Sequence, residues 1–195
     1  MNIAALRKAI WGVCASIVIS SAAGIASAQE FSLADREGET PLMRAAERGN
    51  AAEVQRLLAA GVSVNARDND GETALMHAAD RGDSVIIKLL LDAGASVNDQ
   101  DEDGETSLMY AVDSQRPEAV RLLLQAGALP NTTDNDGETA LMKAADEGNV
   151  QIIHELISAG ADVNQRDSEG ESALDKALDE RNRGAVQALR AAGAR

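Results

Sequence analysis

Asp68 to Gln100 reads DNDGETALMHAADRGDSVIIKLLLDAGASVNDQ, and the order of residue types in this stretch decides the fold. Asp68-Asn69-Asp70-Gly71 is turn chemistry, with Gly71 free to take a positive φ. Thr73 predicts an N-cap, because its hydroxyl satisfies an N–H that the start of a helix leaves without a partner. A short helix follows over Ala74 to Arg81, and Gly82 ends it as a left-handed cap does. Asp83 or Ser84 opens a second helix with apolar positions Val85, Ile86, Ile87, Leu89, Leu90 and Leu91. Gly94 stops it, and Val97-Asn98 leads into the next turn. A helix apolar on nearly every side is expected to be buried on every side, and the 33 residues of this stretch hold nothing of their own to cover it.

The stretch recurs. Gly38, Gly71, Gly104, Gly137 and Gly170 fall every 33 residues, each inside a D-x-x-G-E-[TS] string. A period of this size means an array in which stacked neighbours share their burial. Five units tile the chain, at residues 35–67, 68–100, 101–133, 134–166 and 167–195, the last truncated. The strings Gly38-Glu-Thr-Pro-Leu42, Ala45-Ala46, Leu57-Leu58-Ala-Ala-Gly61, Leu89-Leu90-Leu91-Asp-Ala-Gly94 and Gly160-Ala-Asp-Val-Asn164 resemble the ankyrin repeat. The resemblance implies an all-α solenoid of helix–turn–helix units joined by β-hairpin-like loops. It also implies a concave face made of loop tips and first helices, and surface recognition as the mode of action.

Two features depart from uniformity. Glu53 and Arg56 in the first unit, and Asp175 and Arg190 in the fifth, stand where inner units put apolar residues such as Ile86, Leu89, Met142 and Leu91. The end units are therefore expected to act as caps, with Phe31 and Leu33 closing the N-terminal end. In the third unit Gln115 stands where three others have Gly49, Gly82 and Gly148, and Pro130 replaces a valine. That unit is expected to be locally irregular, although Pro117 suits the first position of a helix.

Residues 1–28 read as a secretory signal of bacterial type, with 29–34 as a lead-in to the array. Arg7 and Lys8 precede an apolar run from Ala9 to Ile19, and Ala26-Ser27-Ala28 precedes Gln29. Ser20, Ser21 and Gly24 break the run short of the ~20 apolar residues of a bilayer span. Cys14 lies inside the run and not at the cleavage point, which argues against a lipid anchor. Cleavage after Ala28 removes Cys14, so the mature chain has no thiol for a disulfide, a nucleophile or a metal. It also removes two of the eighteen basic residues and none of the thirty-two acidic ones, leaving a net charge of −16. A nucleic-acid backbone would be repelled, and a partner protein with a basic patch suits the balance. The expectation is a monomer in the periplasm or secreted, free of the membrane.

Equivalent positions form columns. Glu39, Glu72, Glu105, Glu138 and Glu171 follow the turn glycines, and Glu47, Asp80, Asp113, Asp146 and Asp179 lie near the ends of the first helices. Between them runs a varied column, Arg44, His77, Tyr110, Lys143 and Lys176. The acids would serve equally well to keep an array soluble. Read as a recognition face, the columns make an acidic strip that steers a basic partner, with Tyr110 and Arg44 as residue types that anchor interfaces.

Other patterns carry less. Met43, Met76, Met109 and Met142 occupy the place where the family usually carries His. A Cu(I) ladder fails on distance, since successive units lie ~10 Å apart while two ligands of one ion lie within ~4.6 Å. Core packing is the reading, with the family's His–Thr hydrogen bond lost. Asp99 to Gly104 resembles a calcium loop but has Tyr110 where Glu is needed. Arg81-Gly82-Asp83 is an adhesion tripeptide by spelling, and Asn131-Thr132-Thr133 a glycosylation sequon by spelling. His77 and His154 fall on different helices of different units, and no nucleophile elbow or phosphate loop occurs. No enzyme, cofactor or metal is expected. The function expected is an exported protein-binding adaptor. The alternatives are a toxin-neutralising immunity protein, a protective factor beside an oxidative-stress enzyme such as catalase, and an acidic cation-binding or purely structural protein.

Overall fold

The structure, a computed structural model, describes residues 38–195. The proposed signal, the lead-in and the expected closure by Phe31 and Leu33 lie outside the described residues. The helices come in pairs: α1 (Pro41–Glu47) with α2 (Ala51–Ala59), α3 (Ala74–Arg81) with α4 (Ser84–Asp92), α5 (Ser107–Asp113) with α6 (Pro117–Gln125), α7 (Ala140–Asp146) with α8 (Val150–Ser158), and α9 (Ala173–Asp179) with α10 (Arg183–Ala191). First helices stack on first helices and second on second along the array, and each pair packs internally. Antiparallel bridges Gln100–Thr106, Thr133–Thr139 and Arg166–Ser172 make the links hairpin-like. Among the described residues this is an all-α solenoid, and no helix is long and apolar enough to cross a membrane.

Each first helix starts where its cap dictates. The hydroxyls of Thr40, Thr73, Thr106, Thr139 and Ser172 each accept the backbone N–H three residues on. The methionine column closes the same turn from the other side. The amides of Thr40, Thr73, Thr106 and Thr139 donate to Sδ of Met43, Met76, Met109 and Met142 at 3.2–3.4 Å. The expectation of a lost side-chain bond therefore needs correction: a thioether is a weak acceptor, but it meets the threonine amide while its methylenes fill the core. In the last unit Asp175 takes over, accepting the Ser172 amide at 2.9 Å.

The core follows the unit boundaries. Leu75, Met76, Ala78 and Ala79 of α3 and Ile86, Ile87 and Leu90 of α4 are buried, and the alanines let neighbouring first helices approach closely. The second helices are not buried on every side, as their composition suggested. Val85 remains 58% exposed, because a helix covered by its own partner and by two neighbours still has an outward side.

The third unit is regular, contrary to the expectation. Gln115 adopts the left-handed conformation of its glycine equivalents at φ 52°, as Arg181 does at 61°. Its amide donates to Val112 and that of Arg116 to Ala111, as Gly82 and Asp83 donate to Ala79 and Ala78. These backbone bonds, with a bond from Gln115 Nε2 to Glu147 of the next unit at 2.6 Å, hold Gln115 in a conformation that L-residues otherwise avoid. At the N-terminal end Glu53 and Arg56 pair with each other at the surface, and Arg190 is exposed at the other, as end caps require. Gln115→Gly should raise stability by about 0.5–1 kcal/mol in urea unfolding. An unchanged or lowered midpoint would show that the position is not strained.

Candidate functional site

The D-x-x-G-E string builds a fixed frame for carboxylates. Oδ1 of Asp68 accepts the amides of Asp70 at 3.1 Å and Glu72 at 2.8 Å, and Asp101, Asp134 and Asp167 do the same in their turns. This leaves Oδ2 of each aspartate pointing away from the turn. The varied column lies four residues past each cap, and its side chains lean back toward the helix start, over the turn.

Two predicted columns therefore meet as partners. Lys143 Nζ lies 2.7 Å from Glu105 of the preceding unit, 3.4 Å from Asp113 and 3.7 Å from Asp134 of its own turn. Lys176 pairs with Glu138 of the preceding unit, with Asp167 at 3.1 Å and with Glu171 at 3.7 Å. The Tyr110 hydroxyl lies 2.8 Å from both Glu72 Oε1 and Asp101 Oδ2. Arg44 donates to the Glu39 carbonyl at 2.9 Å. Imidazole Nε2 of His77 lies 3.4 Å from Glu72 and 3.8 Å from Asp68. Each position is a half-buried seat for a donor or cation, walled by carboxylates.

Titration reflects these contacts. Burial pulls the Lys143 ammonium down, but Glu105 and the charges of Asp113 and Asp134 outweigh it and hold the group above the ordinary lysine range. Lys176 behaves alike with Glu138 and Asp167. Burial, then the bonds to Glu72 and Asp101, keeps the Tyr110 phenol protonated well beyond its usual range. Burial pushes Asp167 up, but the Glu171 amide and Lys176 outweigh it and lower its carboxyl.

The second acidic column lies at the rim of the seats, and Asp113 reaches Lys143 from there. Glu47, Asp80, Asp113, Asp146 and Asp179 are exposed in the last turns of α1, α3, α5, α7 and α9. The first four border two polar clefts, one of about 830 Å³ that takes in Glu47, His77, Asp80, Arg81, Ser114 and Arg116. The other, about 240 Å³, lies between Asp113, Asp146, Lys143 and Lys176. Other motifs have structural duties. Gly82 is the left-handed cap of α3 and Asp83 the N-cap of α4, Asp101 is taken by its own turn, and Asn131 bridges to Gly160 and Asp162 of the next unit. His154 is exposed on α8, a second helix, on another face from His77.

Lys176→Met leaves Asp167, whose side chain is 2% exposed, without its cation, and should cost about 1.5–3 kcal/mol in urea unfolding at neutral pH. A folded-state carboxyl held low stabilises above the ordinary carboxylate range, and that contribution disappears as pH falls through and below it. The gap between wild type and variant should therefore shrink in acid. A gap that is absent at neutral pH, or that widens in acid, would contradict the pairing.

The family model for ankyrin repeats in three copies matches residues 3–101, 42–134 and 108–195. No curated protein matches the chain. The matches span nearly the whole length, and they fall on helix pairs whose caps, turns and stops repeat in register; the chain belongs to the ankyrin-repeat family.

Proposed function

We propose that the protein is an exported adaptor that holds a partner protein with a basic patch against the side where the first helices end. Ankyrin repeats generally serve as protein–protein interaction modules and are typically non-enzymatic. One observation carries the reading: five exposed acids occupy the last turns of five first helices. That is the negative end of the helix dipole, where an acid costs roughly 0.3–1 kcal/mol apiece. Local stability argues against acids there, and attraction of a cationic surface is a reason to keep them. The seats beneath, with Arg44, His77, Tyr110, Lys143 and Lys176, form the floor that a partner would meet after the strip. The sequence before Gln29 supports export.

A photo-crosslinker placed in turn at Asp80, Asp113 and Asp146, with Lys88 and His154 on second helices as controls, tests the face. The expected outcome is one discrete adduct shared by the first three positions, absent from the controls and lost on raising the salt. Adducts confined to Lys88 and His154 would place recognition on the opposite side and contradict the proposal.

A further inference from the structure

The seats of the last three units hold a group that donates a proton to the carboxylates around it: Tyr110 Oη, Lys143 Nζ and Lys176 Nζ. The seat of the second unit differs. Its occupant is an imidazole, which carries no permanent charge, and His77 Nε2 is buried without a hydrogen-bond partner among the described residues. Orphaned buried polar atoms are rare and call for a reason. Asp68, Glu72 and His77 each turn one ligand atom into this seat, and these atoms lie within 4.8 Å of one another.

We propose that Asp68, Glu72 and His77 form a site for a divalent transition-metal ion, with Zn²⁺ as its representative. The spacing fits: ligands at about 2.0–2.2 Å in tetrahedral array stand roughly 3.4 Å apart, against 3.4 Å and 3.8 Å from His77 Nε2 to the two carboxylates. The donor set fits, since a nitrogen ligand beside two carboxylates suits Zn²⁺ and its neighbours better than Ca²⁺ or Mg²⁺. The supporting contacts are in place as well. Asp68 Oδ1 is held by two backbone amides and Glu72 Oε1 by the Tyr110 hydroxyl at 2.8 Å, which leaves one oxygen of each carboxylate for the ion. Such outer contacts orient metal ligands. His77 also borders the larger cleft, which supplies a path of entry. The ion would take the part that an ammonium plays in the seats of Lys143 and Lys176.

Calorimetric titration of Zn²⁺ into the untagged protein tests this. Uptake of one Zn²⁺ per chain is expected, weakened at least tenfold in His77→Ala and Glu72→Gln. Tyr110→Phe, which removes the hydroxyl shared by Glu72 and Asp101 but no metal ligand, should weaken it about tenfold. His154→Ala should leave it unchanged. His77→Lys restores the ammonium of the other seats and should remain folded by circular dichroism while binding no Zn²⁺. Absence of uptake by the wild type, uptake that His77→Ala and His77→Lys leave intact, or uptake abolished by His154→Ala would overturn the proposal. The titration involves no partner protein, so its result is independent of the adaptor reading.

Discussion

The backbone amide of one turn bonds to the carbonyl of the turn before it, Glu102 to Asp70, Asn135 to Asp103 and Ser168 to Asp136, each at 2.9 Å. This ladder fixes how far apart successive units stand and how they are rotated. It needs glycine twice over at the turn. Gly71 takes φ 81°, and a Cβ there would lie 3.0 Å from the Glu102 amide nitrogen. With the turns locked at this distance, the first helices stack on their alanines and the Ile and Leu residues of the second helices interlock across the boundaries. No unit owns a complete interior, which is the energetic basis of a linear array.

The seats follow from the same geometry. Because the turns are close and parallel, Glu72, Glu105 and Glu138 each reach the first helix of the next unit. A strongly acidic chain can tolerate half-buried carboxylates there only if something positive, or a donated proton, is set against them. Tyr110, Lys143 and Lys176 supply it directly. The second row of acids lies exposed at the helix ends, and of these Asp113 also reaches the Lys143 ammonium, at 3.4 Å. The proposed function thus assigns stability to one acidic column and recognition to another only a few residues away in sequence.

Much of this was legible in the residues. Thr73, Gly82 and Asp83 marked the helix limits to the residue, because caps are local and each has one chemical task. Gln115 misled, since intrinsic preference argues against a left-handed glutamine while the hydrogen bonds that close its turn and its bond to Glu147 require one. The methionine sulfur was undervalued because a thioether is read as apolar filling, and its contact with the threonine amide appears only with the helix built. The seats were missed for a geometric reason. Columns compare positions 33 apart, whereas the contacts of Glu72 with Tyr110, Glu105 with Lys143 and Glu138 with Lys176 span 38. The signal was present in the varied column itself, three of whose five members are Arg or Lys.

Removing one interior unit tests the sharing of burial most directly. Deletion of residues 101–133 joins Gln100 to Asp134 in the same register, and equilibrium unfolding followed by circular dichroism reads the outcome. A shorter array of undiminished helicity per residue, unfolding in one cooperative transition at lower denaturant, is expected. A chain that fails to fold after this deletion would mean that the core is closed and global, and the stack of mutually dependent units would be wrong.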